Sequence, residues 1–287
     1  MKKLRQSIEQ LKSPEQLSAA AYMDQIWSYI CYSPKMPLRH NQEQLLQLAS
    51  KSQHAVKDEF FTGELLSFPV YTWGSGDKII LLTHGWGSKA ADFAFYIEKL
   101  LNNGDFKIIA FDAPGNGEAA GELSNLILYI EAVKAIITAY GAPYIAIGHS
   151  LGAMANIAAL SNLKLSPARI ISLTPLVDLK ANFAASMDFV NIPHTVQQHF
   201  FEGFEKRFNM KTTYFHLNSL YHFPEDQHHL VLYDQEDKIA PFPYLQSFFE
   251  NHPLTDAIDF NGVGHERILK SEEAVQVILE KIQTIQD

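Results

Sequence analysis

Ser150 stands in Gly148-His149-Ser150-Leu151-Gly152, with the apolar run Tyr144–Ile147 before it and an alanine-rich helical stretch, 151–162, after it. A hydroxyl in a sharp strand-to-helix turn is lifted clear of the sheet, where it can attack a carbonyl. Gly148 and Gly152 leave room for backbones to approach where a side chain would collide. The N–H of Leu151, at the helix start, faces any negative charge that develops there. Glycines around a serine are common. The strand before and the helix after are what separate this pattern from an ordinary glycine turn.

A serine of this kind needs a second oxyanion donor, a base and an acid. His84-Gly85-Trp86-Gly87-Ser88 directly follows the apolar run Lys78–Thr83, and the Trp86 N–H is the candidate second donor. Asp112-Ala113-Pro114-Gly115-Asn116-Gly117 follows the run Phe106–Phe111, and Asp112 is expected to tie its own loop by local hydrogen bonds. His265 is the best base, because it lies in a glycine-rich loop, 260–266, just after the last apolar run. His84 and His149 compete, but the place of His149 on the turn points it away from a pocket and toward a buried, hydrogen-bonded role. The acid should follow a strand between serine and histidine. Leu230-Val231-Leu232-Tyr233 is that strand, with Asp234, Glu236 and Asp237 behind it. Asp237 is preferred, with Pro241 closing the loop. Asp234 is its rival, and otherwise a turn cap.

The elements that must carry these loops form a rhythm. Short apolar runs at 78–83, 106–111, 144–147, 169–173, 229–233 and 257–260 alternate with helical stretches at 91–102, 124–140, 151–162, 241–250 and 271–285. Near-continuous apolar strands alternating with helices indicate an α/β chain with a mostly parallel sheet covered on both faces. Residues 58–73, interrupted by Gly63 and Pro69, read as edge strands. Residues 15–32, opened by Ser13-Pro14-Glu15, and 41–53 read as two helices of a preface that packs on the main domain. Residues 176–227 break the rhythm with many aromatics. Phe200, Phe204 and Phe208 share one helical face, which either lines a pocket as part of a lid or packs the insertion on the core. The expected organisation is a helical extension over 1–57, a core over 58–175 and 228–287, and a lid over 176–227.

Bulk properties narrow the partners. The 23 basic and 32 acidic residues give a net charge of −9, which argues against nucleic acid. No run of 18 apolar residues is present, so no membrane span is expected, and the cytoplasm is the default location. Cys31 is the only cysteine, which leaves no intramolecular disulfide and points to a buried, inert thiol. His222, Glu225, Asp226, His228 and His229 cluster, but at no recognised metal-ligand spacing, and read as surface loop residues. Neither a metal nor a cofactor is expected. The glycine patterns of dinucleotide-binding and phosphate-binding loops are missing.

Together these segments resemble the α/β-hydrolase superfamily over roughly residues 58–285. The resemblance implies the α/β-hydrolase fold with a lid inserted after the sixth strand. It implies a triad at Ser150, Asp237 and His265, with oxyanion donors at Trp86 and Leu151. Asn116 and Glu118 depart from the histidine and serine often found at these places. A serine nucleophile disfavours the aspartate-based dehalogenase and epoxide-hydrolase branches. The expected activity is hydrolysis of a small or medium apolar carboxylic ester through an acyl-enzyme. A thioesterase, a lactonase or a C–C bond hydrolase of the same fold is the alternative, and a non-catalytic binding protein is a third reading.

Overall fold

The computed structural model describes residues 2–13 and 17–285. Eight strands form one sheet, in spatial order β1-β2-β4-β3-β5-β6-β7-β8. They are β1 (Ser50–Lys57), β2 (Leu65–Trp73), β3 (Lys78–Thr83), β4 (Phe106–Phe111), β5 (Ile145–His149), β6 (Arg169–Leu173), β7 (His229–Tyr233) and β8 (Asp256–Asp259). β2 runs antiparallel to β1 and β4. All other neighbours are parallel, with Ile80 opposite Ile108 and Ile145, and Ile171 opposite Leu230. β5, β6 and β7 are buried along their whole length. That is why these runs carry no polar alternation in the sequence.

Helices cover both faces. α4 (Ala94–Asn103) and α11 (Glu272–Gln283), with α3 (His40–Gln47), bury one face through Phe93, Tyr96, Ile97, Val275 and Ile278. α5 (Leu126–Tyr140) and α6 (Leu151–Leu163) cover the other, and α10 (Phe242–Asn251) packs with them. α1 (Lys2–Lys12) and α2 (Ala19–Cys31) precede the sheet. Between β6 and β7 the chain inserts α7 (Leu179–Phe189), α8 (His194–Phe208) and the short α9 (Leu217–Leu220). The loops after β3, β4, β5, β7 and β8 therefore emerge at one edge, the carboxyl edge of the parallel strands.

The structure corrects three expectations at the periphery. The helix expected over 41–53 stops at Gln47, and residues 50–57 form β1, so the helical extension over 1–57 ends in a strand. β1 alternates exposed and half-buried positions (Lys51 exposed, Ser52 half-buried), an alternation too polar to stand out as a strand. β2 is not an edge strand, because β1 covers it, and Phe60 and Phe61 sit in the turn between the two. Pro14 and Glu15, expected to open the first helix, lie outside the described residues. α2 begins at Ala19, where Ser18 Oγ accepts the Ala21 N–H at 3.2 Å. A further helix, α1, precedes it where none was expected.

Of the two readings of the insertion's aromatic face, the structure takes the packed one. Phe200, Phe204 and Phe208 are buried and turn to the core, where they meet Trp27 of α2 at ring distances of 4.5, 6.0 and 6.4 Å. Arg207 stacks its guanidinium on Trp27 at 4.6 Å and on Phe61 at 5.0 Å. Trp27 decides the matter: an indole on the preface offers these rings a larger apolar partner than a solvated pocket would. Truncating Phe204 to alanine should cost about 3–5 kcal/mol of stability, as large-to-small core changes do. Urea unfolding of the variant checks this, and a loss under about 1 kcal/mol would remove the ring from the core.

Candidate active site

The β5–α6 turn holds Ser150 at φ 52° and ψ −119°, a strained conformation for a residue with a side chain. Its N–H donates to the Leu173 carbonyl at 3.0 Å, and its carbonyl accepts the Leu176 N–H at 3.2 Å, so β6 and its exit loop fix the turn. A Cβ on Gly152 would lie 2.2 Å from the Thr83 carbonyl, and one on Gly148 would lie 2.4 Å from Ala153 Cα. No other residue type fits at either place. Among the described residues, the N–H groups of Leu151 and Trp86 meet no internal acceptor. Ser150, Leu151, Trp86 and His265 line one cavity of about 980 Å³.

His265 is held from several sides. Its Nδ1–H donates to Asp237 Oδ2 at 2.6 Å. Asp237 Oδ1 accepts the N–H groups of Ile239 and Ala240 at 2.8 and 3.0 Å. Burial pushes the Asp237 carboxyl up, but the hydrogen bond and charge of His265 and these two N–H groups outweigh it and leave it below its ordinary value. Asp234 does more than cap its turn. Its Oδ1 accepts the Glu236 N–H at 2.8 Å, and its Oδ2 reaches the Gly264 N–H at 2.6 Å, tying the β7 loop to the β8 loop. Asp237 therefore meets the ring of His265, and Asp234 meets the backbone beside it.

A model of the alpha/beta hydrolase family matches residues 80–275. The chain belongs to the alpha/beta hydrolase family. Bovine protein phosphatase methylesterase 1 is 30% identical to this hydrolase over 150 residues, half of this chain. The hydrolase spans 37% of the length of that curated relative. Its fold is similar to an esterase from Pyrococcus furiosus, with 17% identity, a TM-score of 0.61, and 89% of this chain and 97% of that chain covered. It is also similar to mouse alpha/beta hydrolase domain-containing protein 10, with 18% identity, a TM-score of 0.60, and 82% and 98% covered.

The loop after β3 in this hydrolase is bound more tightly than its glycines suggested. His84 is buried, and its Nε2 accepts the Ala113 N–H at 2.9 Å. The proton must then sit on Nδ1, which donates to the Gly85 carbonyl at 2.7 Å. Burial holds His84 below the usual histidine range despite the charge of Asp112. Tyr129 donates to the same Gly85 carbonyl at 2.9 Å. Asp112 ties its own loop through the Glu118 N–H and reaches the Ala90 N–H, both at 2.8 Å. Asn116, fully buried, accepts the Gly87 N–H at 3.1 Å and the Ser33 hydroxyl, and donates to the Ala113 and Pro114 carbonyls. Trp86 Nε1 donates to the Tyr32 carbonyl at 3.2 Å. Ser33 went unread in the sequence because it lies far upstream of its partners, and Asn116 stood out only as a departure from the family pattern.

His149 takes the buried, hydrogen-bonded role expected of it, although the residue borders the cavity: its Nε2–H donates to the His265 carbonyl at 2.9 Å. Thr174 Oγ1 donates to that carbonyl as well, at 3.1 Å. Burial, then the charge of His265, push His149 down to about 3, so it is a poor base and a good prop. His229 departs from its expected place on the surface. It is buried in β7, its Nε2 pairs with Ser172 Oγ at 2.9 Å, and burial pushes it down to about 3. Among the described residues no three His, Cys, Asp or Glu side chains gather to hold a metal. Burial pushes the Cys31 thiol up to about 12, which keeps it protonated and unreactive.

Two measurements follow from these contacts. His149 and His229 stay neutral in the fold down to about pH 3, while the unfolded chain protonates them near their ordinary 6.5. Between these limits the unfolded state binds more protons. Stability must therefore fall as pH falls from 6.5, by up to about 1.4 kcal/mol per pH unit for each ring. Urea midpoints at neutral and mildly acidic pH report this, and equal midpoints would contradict it. Asp237→Asn should lower turnover of a hydrolysed ester by about 10⁴-fold, the cost that the wrong imidazole tautomer carries in serine proteases. Asp234→Asn keeps one acceptor oxygen and should cost about tenfold or less, as the loss of a positioning contact. The reverse order, read in steady-state kinetics, would exchange the roles of the two aspartates.

Proposed function

We propose that this alpha/beta hydrolase cleaves a small or medium carboxylic ester through an acyl-enzyme on Ser150, in the cytoplasm and without metal or cofactor. The observation that carries the reading is the Nδ1–Oδ2 hydrogen bond of 2.6 Å between His265 and Asp237, in the cavity that Ser150 also lines. In this reading His265 Nε2 takes the proton from Ser150 Oγ as the hydroxyl attacks the carbonyl carbon. Asp237 keeps the imidazole in the required tautomer and stabilises its charged form. The Leu151 and Trp86 N–H groups receive the oxyanion. Collapse of the tetrahedral intermediate expels the alcohol, which takes its proton from His265. Water, deprotonated by the same ring, then releases the acid and restores Ser150.

The curated relative and the Pyrococcus protein are a methylesterase and an esterase by name, which favours a carboxylic ester over other acyl groups. The apolar side of the cavity supports the substrate's hydrocarbon part. Leu176 and Val177 on the exit of β6, with Leu179, Phe183 and Phe189 of α7, form it. The segment 176–227 acts as the lid in this reading through α7, while α8 anchors it. A fluorophosphonate probe should label wild type at Ser150 alone. Ser150→Ala should lose both labelling and hydrolysis of p-nitrophenyl butyrate while keeping its circular dichroism spectrum. Labelling at Ser88 or another serine, or hydrolysis that survives Ser150→Ala, would overturn the assignment.

A further inference from the structure

Lys89 is a buried cation in the wall of the same cavity, and among the described residues no carboxylate lies within ion-pair distance of it, although its charge reaches Asp92 at longer range. It follows the loop 84–88, is 6% exposed, and lines the cavity with Ser150 and His265. Its ammonium donates to the Met36 carbonyl at 3.2 Å, and among the described residues it forms no ion pair. An ammonium carries three donors, so two are left for something else. Asp92, also at the cavity, is already committed. Its Oδ1 accepts from Gln42, and its Oδ2 accepts from the Ser88 hydroxyl and from the backbone N–H of Lys89.

Three further basic side chains share the cavity with Lys89. Arg39, Lys238 and Lys270 also line the cavity, and none is ion-paired among the described residues. Against them stand Asp92, Glu266 and Asp178, whose Oδ1 is taken by the Ala181 N–H at 2.9 Å. With Lys89 the lining holds four basic and three acidic residues, whereas the chain as a whole carries a net charge of −9. Burying an ammonium without a direct ion pair is unfavourable, and an anion that enters with the ligand reduces that penalty.

We propose that the substrate of this hydrolase is an ester that carries, besides its apolar part, an anionic group that Lys89 receives. Carboxylate and phosphate share the needed chemistry. The inference rests on the serine-hydrolase reading and names its substrate class. The competing role for Lys89 is structural: through the Met36 carbonyl it pins the segment 33–39 to the loop that carries Trp86. A purely structural lysine affects charged and neutral substrates alike.

Matched pairs of esters separate the two roles. On the acyl side, mono-p-nitrophenyl glutarate is compared with its methyl ester. On the alcohol side, 4-butyryloxybenzoate is compared with methyl 4-butyryloxybenzoate. In wild type the ratio of kcat/KM for the charged member over the neutral one should be about tenfold or more in one pair, the effect of a charge-assisted contact. Lys89→Met should bring that ratio down about tenfold, and Lys89→Arg should restore part of it. The responding pair tells which side of the ester bears the anion. A wild-type ratio of one or less in both pairs overturns the proposal, whether or not the variants fold. A Lys89→Met enzyme that loses both members of a pair by the same factor overturns it as well. Fluorophosphonate labelling of Ser150 and hydrolysis of the neutral esters stand apart from these ratios. Their absence rejects the serine-hydrolase reading itself, whereas their presence without a charge preference rejects only the anion.

Discussion

The backbone at Ser150 occupies a conformation, φ 52° and ψ −119°, that costs about 1–3 kcal/mol for a residue with a side chain. Such a turn persists only where its surroundings over-determine it. Here the Leu173 carbonyl holds its N–H, the Leu176 N–H holds its carbonyl, and Gly148 and Gly152 clear the space on either side. The strand order places β3 and β6 on the two sides of β5. The loops of both neighbours are thereby brought to the same turn. The strained residue, the loop of Trp86 and the exit of β6 are one packed unit, and the buried parallel strands make it stiff.

The other half of the site hangs from a second set of anchors. The His265 loop is gripped by Asp237 on the ring, by Asp234 at Gly264, and by His149 and Thr174 on the His265 carbonyl. Two of these four anchors, His149 and Thr174, are the end residues of β5 and β6 or lie next to them. The geometry of the serine turn therefore sets the height of the histidine as well. The low pKa of His149 fits this duty, since a ring that stays neutral keeps its Nε2–H donating without adding charge beside His265.

The preface contributes to the site despite its distance in sequence. Cys31 accepts the Ser124 N–H, Tyr32 accepts the Trp86 indole, Ser33 meets Asn116 and the Gly87 N–H, and Met36 accepts Lys89. Residues 31–36 thus serve as an outer clamp on the loop after β3. The same preface, through Trp27, holds α8 of the insertion. One N-terminal segment braces both the floor and the roof of the cavity, which makes a merely decorative extension untenable.

The alternation of apolar runs and helices, and with it the α/β fold, was legible in the amino-acid order alone. Buried parallel strands leave an unbroken apolar signal, and helices an amphipathic one. The same order placed Ser150, an acid after Leu230–Tyr233 and His265 at successive strand ends. Whether Asp234 or Asp237 meets the imidazole was a matter of a few ångströms within one loop, and only the folded loop decided it. β1 escaped notice because an edge strand half open to water carries little apolar pattern. The face shown by Phe200, Phe204 and Phe208 was periodic in the sequence, but periodicity defines a face without naming its partner. Tertiary structure supplied Trp27. Ser33 and Lys89 were silent, and the partners of His149 and Asn116 illegible, for the same reason. Their hydrogen bonds join segments far apart along the chain, and such pairings are set by packing rather than by any local spacing.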